Sequence, residues 1–415
     1  MKVTGVILAA VVLGMLVFTL TGTPEAGGNW IYRGRWLAKK LHMKLPPPAP
    51  LTKAEHAAAN AEAVAWKAKF QTEFPALTIT SRSVKPEENG YLLLWELRGK
   101  TEVSGEFAKG LEDPAACDLD TGKRLLTEHS ALLGQVEKIG ALRTRSSSGM
   151  PKDCNVLIPT RDVKRCYEIL LFKACLAAKA GDQDEALRCV SSCGNIADHL
   201  HDLEAPTFLS ETVSLLADGS KRRIIMQVML PAFGKSADLA RWRAELARNP
   251  YSTTEFARVL RGEWEISADF MMFPLIAVFK RQNLMPDAEL VVRFHSSWVS
   301  DMMTKLPSSG LADLEKTMAL PTVSGFSEEG GGIIKLMHAG SHTWACGYCT
   351  KAVERACALA AMDLLILEKA GTVLGDGDVE RVTRNPLTGE AFVFNSARRE
   401  VSEKDVTDDP LVLPW

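Results

Sequence analysis

Two amphipathic segments meet at a glycine-aspartate pair in RDVKRCYEILLFKACLAAKAGDQDEALRCVSSCGNIADHLHDL, residues 161–203, and this stretch limits the possible fold more than any other. Apolar residues recur at three- and four-residue intervals on both sides of the pair, which is helical spacing. Gly181 suits a helix C-terminus, and Asp182 or Asp184 suits the cap of the next helix. The segment reads as an antiparallel helical hairpin. With the turn at 181–182, Cys175 and Cys189 stand level across the pair, each seven residues from position 182. They are candidates for a disulfide. Cys189, Cys193, Ile196 and Leu200 fall on one inner face. Cys189 and Cys193 do not suit each other, because β-carbons four apart on a helix lie about 5–6 Å apart, beyond disulfide reach.

The same pattern extends over most of the chain. Alanine-rich residues 51–74 form a helix with Ala57, Ala61, Val64 and Ala68 in phase. In SVKPEENGYLLLWEL, Ser83, Pro86, Glu87 and Glu88 read as a helix start with acids in its first turn. Further helices are expected over 121–142, 206–230, 236–248, 253–272 and 287–304, punctuated by Pro231, Pro250, Pro274 and Pro286. A loop is expected over 307–332. A long helix should then start near Cys349 and run to Lys369, with Val353, Ala356, Ala360, Leu364 and Leu367 as its apolar stripe. RNPLTGEAFVFN predicts a turn at Asn385-Pro386 and Gly389, then one short strand. The fold class is mainly α: an irregular stack of antiparallel helical hairpins with a small turn-and-strand tail. AKAGDQDEAL resembles the turn of a tetratricopeptide unit, but no 34-residue period follows it.

At the amino terminus one lysine precedes an apolar run from Val3 to Leu20. This length suits a spanning helix or a long signal peptide. Ala26 has Pro24 two positions earlier, which is unfavourable for cleavage, and no cysteine follows the run for lipid attachment. An uncleaved transmembrane anchor over residues 4–21 is therefore expected. Lys2 favours an amino terminus inside. Arg33, Arg35, Lys39 and Lys40 pull the following segment inward, although long domains cross largely regardless of charge. The expectation is a body on the exported side, with a cytoplasmic body as the alternative. The organisation is then an anchor over 1–22, a linker over 23–50 stiffened by Pro46, Pro47 and Pro48, a helical body over 51–306, a loop over 307–332, and a C-terminal helix and tail over 333–415.

Composition removes one class of function. With 49 basic and 51 acidic residues the formal charge is −2, so no global basic excess exists to hold nucleic acid. Nine cysteines suit an exported protein better than a cytosolic one, and the odd number leaves at least one without an intrachain partner.

Chemistry is concentrated in HTWACGYCTK, residues 342–351. His342, Cys346 and Cys349 could supply three metal ligands, but zinc needs a fourth and no second CxxC exists. Thioredoxin-like proteins place tryptophan directly before the first cysteine; here Ala345 intervenes. A local bridge between Cys346 and Cys349, or two reduced thiols, at the start of the long helix is the favoured reading, with Trp344 packed beside it, and the two are disulfide candidates. The free N–H groups of a first turn would make Cys346 or Cys349 somewhat reactive there, while Cys357 should be buried and inert. Asp198, His201 and Asp202 share a helix face, which reads as a solvated helix end before a metal site. Glu263 and Glu265 point apart on a helix and cannot form a catalytic pair, and Arg261 with Glu265 reads as a surface pair. EEGGGI at 328–333 lacks the lysine of a phosphate loop and reads as a flexible connector. No G-x-S-x-G, H-E-x-x-H or dinucleotide fingerprint is present, and no cofactor is assigned.

The order of apolar span, KACLAAKAGDQDEAL hairpin, LRGEWE helix and final RNPLTGEAFVFN resembles a group of uncharacterised bacterial envelope proteins, whose tails read DPFTGxPFxY. Asn385 stands where their aspartate is usual, and Phe394 where they carry an aromatic. The resemblance implies an anchored or exported helical protein and carries no activity. The expected function is a membrane-anchored helical scaffold whose grooves receive a protein or peptide partner. The alternative is an envelope enzyme using thiol redox or metal chemistry at His342, Cys346 and Cys349.

Overall fold

The computed structural model describes residues 51–148, 159–319, 323–403 and 410–414. The anchor and linker expected over 1–50 lie outside these residues. Among the described residues, no helix is long and apolar enough to cross a membrane.

Helix α1 (Lys53–Glu73) starts at a reciprocal capping box between Thr52 and Glu55 and buries Ala59, Ala63, Trp66 and Phe70. The helix expected from Pro86 forms in two steps. Pro86–Glu88 is one 3₁₀ turn, and α2 (Gly90–Glu96) begins behind Asn89, whose side chain accepts from Leu92 N. Helix α3 (Gly105–Glu112), capped by Ser104, was not foreseen. The single helix expected over 121–142 is two, α4 (Leu119–Glu128) and α5 (Ser130–Ala141). The break falls at His129, whose ring stacks on Phe107 at 4.8 Å between centroids.

The central hairpin forms as its sequence predicts, from α6 (Thr160–Lys179) and α7 (Gln183–His201). Gly181 takes φ +76°. Its N–H donates to Ala178 O at 3.0 Å and that of Asp182 to Ala177 O at 2.9 Å, which is a Schellman closure. The Asp182 carboxylate then accepts from Glu185 N. One glycine thus ends one helix and the next residue starts the other. Cys189, Cys193, Ile196 and Leu200 are all fully buried on the inner face, as expected.

Helix α8 (Phe208–Ile224) runs through a wider π segment, Ile225–Met229, into α9 (Leu230–Phe233). Pro231 did not stop the chain. It lacks an N–H and its ring crowds the carbonyl four residues back, and a widened turn accommodates both effects. Then come α10 (Leu239–Leu246), α11 (Thr253–Asp269), α12 (Met272–Arg281), α13 (Ala288–Lys305) and the single turn α14 (Leu314–Thr317). Pro274 sits in the first turn of α12, where its missing N–H has no intrahelical partner to lose.

The largest departure from expectation is α15, which spans Glu328–Lys369, 42 residues, about 60 Å long. The expected start near Cys349 is wrong by some six turns, and the expected connector EEGGGI is its first turn. Ser327 caps it, accepting from Gly330 N at 3.0 Å while donating to Asp287. A β-carbon at Gly330 would sit 2.6 Å from Asp287 Oδ2 and 2.9 Å from Val291. Glycine therefore lets α15 close onto α13. Packing and a cap outweigh the low helix propensity of the glycines.

Two hydrophobic cores result, and α15 belongs to both. Its residues 333–349 enter a core with α1, α11, α12 and α13; its residues 353–365 enter a core with the α6–α7 hairpin, α8 and the tail. The tail makes the expected turn, with Gly389 at φ +71° and Asn385 Oδ1 accepting from Leu387 N. It then forms three short antiparallel strands rather than one: β1 (Val393–Asn395), β2 (Glu400–Ser402) and β3 (Leu411–Val412), in that order. Phe392 and Phe394 are buried, and Phe394 pairs with Val401.

Candidate functional site

Between the two cores, α7, α8, the 247–252 connection and α15 leave a small polar cavity of about 30 Å³, lined chiefly by Asp198, His201, Glu211, Asp218, Tyr251 and Arg355. That is room for one or two water molecules.

Asp198 is buried and accepts from Arg248 and from Asn249 Nδ2. Arg248 also donates to Asn195 Oδ1, and Asn195 Nδ2 donates to Gly140 O at 2.5 Å, which ties α5 to the same network. Arg355, on the long helix, donates through Nε to Leu246 O at 2.7 Å and through Nη1 to Asn249 O. It thereby satisfies the end of α10 and the following turn, where Asn249 has φ +54°. Its guanidinium lies over the Tyr251 ring at 5.5 Å. Tyr348, two turns earlier on the same face of α15, accepts from Ser252 N at 3.1 Å and donates to Ser252 O at 3.3 Å.

His201 Nδ1 is 2.8 Å from Glu211, and its Nε2 is 3.6 Å from Glu255. Burial opposes a charge on this imidazole, but Glu211, by charge and hydrogen bond, and then Glu255 outweigh it, so His201 titrates above its ordinary value. Asp218 is 3.2 Å from Lys221 Nζ. Burial disfavours its charge, yet Lys221, Arg355 and Arg222 hold its carboxyl below the usual range. Four buried atoms here have no protein partner: Asp218 Oδ2, Arg222 Nη1, Tyr251 Oη and Arg355 Nη2. They supply acceptor and donors together, which suits water or a very small dipolar molecule.

Asp198, His201 and Asp202, read as a solvated helix end, diverge into separate partnerships. Asp198 takes Arg248, His201 takes Glu211, and Asp202 takes Arg145 at 2.6 Å and Arg258 at 2.8 Å. Asp198 and His201 are far from solvated. Glu263 and Glu265 also part, as expected. Glu265 bridges Lys67 of α1, in place of the surface pair expected with Arg261. Glu263 accepts from Phe208 N, at the start of α8, and burial pushes its carboxyl up to about 7.

The WACGYC segment lies in the middle of α15, far from any helix terminus, so the expected activation by first-turn N–H groups is overturned. Cys346 Sγ is 3.9 Å from His342 Nε2, while Cys349 Sγ lies 3.7 Å from Leu311 O. Burial, with Glu315 next, raises both thiols, Cys349 to about 12. Among the described residues, no group of three or more His, Cys, Asp or Glu is placed to hold a metal ion. Trp344 joins an aromatic cluster, 4.8 Å from both Phe208 and Phe256 and 5.1 Å from Tyr348. It fastens α15 to α8 and α11 rather than a loop to a helix. Cys357 is partly exposed rather than buried, with Sγ 3.7 Å from Val401 O and its thiol raised to about 12 by burial. Cys175 and Cys189 are both buried free thiols, each raised to about 12 by burial.

Sequence reasoning missed Arg248, Asp218, Tyr251 and Arg355. A signal existed for Arg355: it is a lone arginine inside the apolar stripe of KAVERACALAAM. No family model, no curated protein and no solved structure matches the chain.

Proposed function

We propose that the protein is a membrane-anchored helical scaffold, held by residues 4–21, that presents its folded body to a protein or peptide partner on the exported side. The observation that carries this reading is the use made of the charged residues. Asp198 pairs with Arg248 and His201 with Glu211, while Arg355 donates to backbone carbonyls, around a cavity of about 30 Å³ that is too small for an ordinary substrate or cofactor. The thiols of WACGYC, held protonated inside a helix, favour the same reading over the redox alternative.

The test is site-specific photocrosslinking in the full chain, in membranes of the native cell. Val64, Leu216 and Leu290 are 63%, 52% and 47% exposed, so a crosslinker there needs no repacking. A single reproducible protein adduct from at least one site, abolished by a charge placed beside it, is expected. Crosslinks to lipid alone, or none, would overturn the scaffold reading. A carboxy-terminal alkaline phosphatase fusion that stays silent while a cytoplasmic reporter is bright would overturn the exported placement alone.

A further inference from the structure

A second buried group lies in the other core, apart from the polar cavity. His295 of α13 and His338 of α15 are 5% and 0% exposed. Their ring centres are 5.6 Å apart and their planes are inclined by 57°. All four ring nitrogens lack a hydrogen-bond partner. The walls are aromatic: Trp298 lies 4.0 Å from His338, Phe294 lies 6.0 Å from it, and Phe326 packs on Phe294 at 5.3 Å. An unsatisfied buried polar group costs about 1–3 kcal/mol. Two adjacent buried imidazoles with four such atoms call for an occupant.

We propose that His295 and His338 form a two-coordinate site for a soft monovalent cation, copper(I) being the natural ion. Three considerations select that class. Two imidazoles holding an ion at about 2.0 Å from each nitrogen bring their ring centres to roughly 6 Å, close to the separation observed. Zinc and other divalent ions want further nitrogen, sulfur or oxygen ligands, and among the described residues no group of three or more His, Cys, Asp or Glu is placed to hold a metal ion. A single charge with two neutral ligands is also far less costly to bury than a double one, because the desolvation cost rises with the square of the charge. Each imidazole binds through one lone pair and keeps its proton on the other nitrogen, so binding releases no proton.

The probe is copper(I) itself, added anaerobically to the full chain in detergent at one equivalent, with silver(I) and zinc(II) in parallel. X-ray absorption of the wild-type complex should show two nitrogen ligands and no sulfur, and the ion should raise the melting temperature. His338→Phe and His295→Phe replace each imidazole with an apolar ring among the aromatic walls. Each should fold, lose the copper-dependent rise and weaken binding at least about tenfold. Silver(I) should mimic copper(I), and zinc(II) should not bind there. Sulfur in the copper shell would assign binding to the cysteines and overturn the proposal without any variant. Unchanged binding in both variants, or zinc binding as tightly, would overturn it equally.

Discussion

Removing the Arg355 guanidinium tests whether the charged centre is structural. In Arg355→Met the apolar stem is kept, while Leu246 O and Asn249 O lose their donors and Asp218 loses one of the cations that hold it ionised. Deleting one member of a buried charged network costs about 3–5 kcal/mol, because the groups left behind stay desolvated. The unfolding entropy of a folded body of roughly 350 residues is about 0.7 kcal/mol per degree, so the melting temperature should fall by about 4–7 °C. Calorimetry of the purified protein reads this directly. Asp218→Asn in the same chain should be non-additive with it, since Arg355 is one of three cations, with Lys221 and Arg222, that act on the Asp218 carboxyl. A shift under about 1 °C in Arg355→Met would refute the claim that Arg355 welds α15 to the end of α10.

Other expectations follow from single contacts. Gly262→Ala would place a β-carbon 2.0 Å from Pro206 O, backbone against backbone, and should cost about 3 kcal/mol or more in urea melts; near-neutral behaviour would contradict the close approach of α11 to residues 205–206. Glu263 titrates near 7 when folded against 4.5 in the open chain, so the native state holds a proton that the unfolded state has lost. Its contribution to stability is therefore full below about pH 4.5 and lost as pH rises through 7; Glu263→Gln should raise the melting temperature at pH 8 and change it little at pH 4.5. With Cys349 raised to about 12, about one such thiol in ten thousand is ionised at pH 8, so alkylation of the buried Cys349 should track unfolding; a rapid native-state reaction there would revive the redox reading. Cys175 and Cys189 are free thiols in the structure; if the body is exported they should oxidise to one cross-linked peptide in non-reducing maps of protein recovered from the envelope, and their recovery as free thiols, or pairing of either elsewhere, would exclude that bridge.

The helices most legible in the sequence were those whose ends are set locally. Gly181 and Asp182 mark the hairpin turn because both act within five residues of themselves, and Asn385 with Gly389 marks the tail turn for the same reason. The start of α15 was hidden because three consecutive glycines argue locally for a loop. What reverses that argument is Asp287, forty residues earlier in the chain, receiving Ser327 while Gly330 closes on it. The error carried over to Cys346 and Cys349, whose chemistry depends on whether they stand at a helix terminus or inside one. The polar cavity was hidden for a related reason. Asp198 and Arg248 look like surface charges until tertiary packing puts them opposite each other, and no period in the sequence records that pairing. Strands β2 and β3 are too short to display an alternating pattern.

One continuous α15 is shared by the two cores, and amide hydrogen exchange on the full chain measures this continuity most directly. Peptides covering 333–349 and 353–365 should both rank among the most slowly exchanging of the body, with no fast segment between them. Fast exchange through 328–348, with protection beginning only near Cys349, would restore the connector and the helix-terminal thiols and would contradict the account.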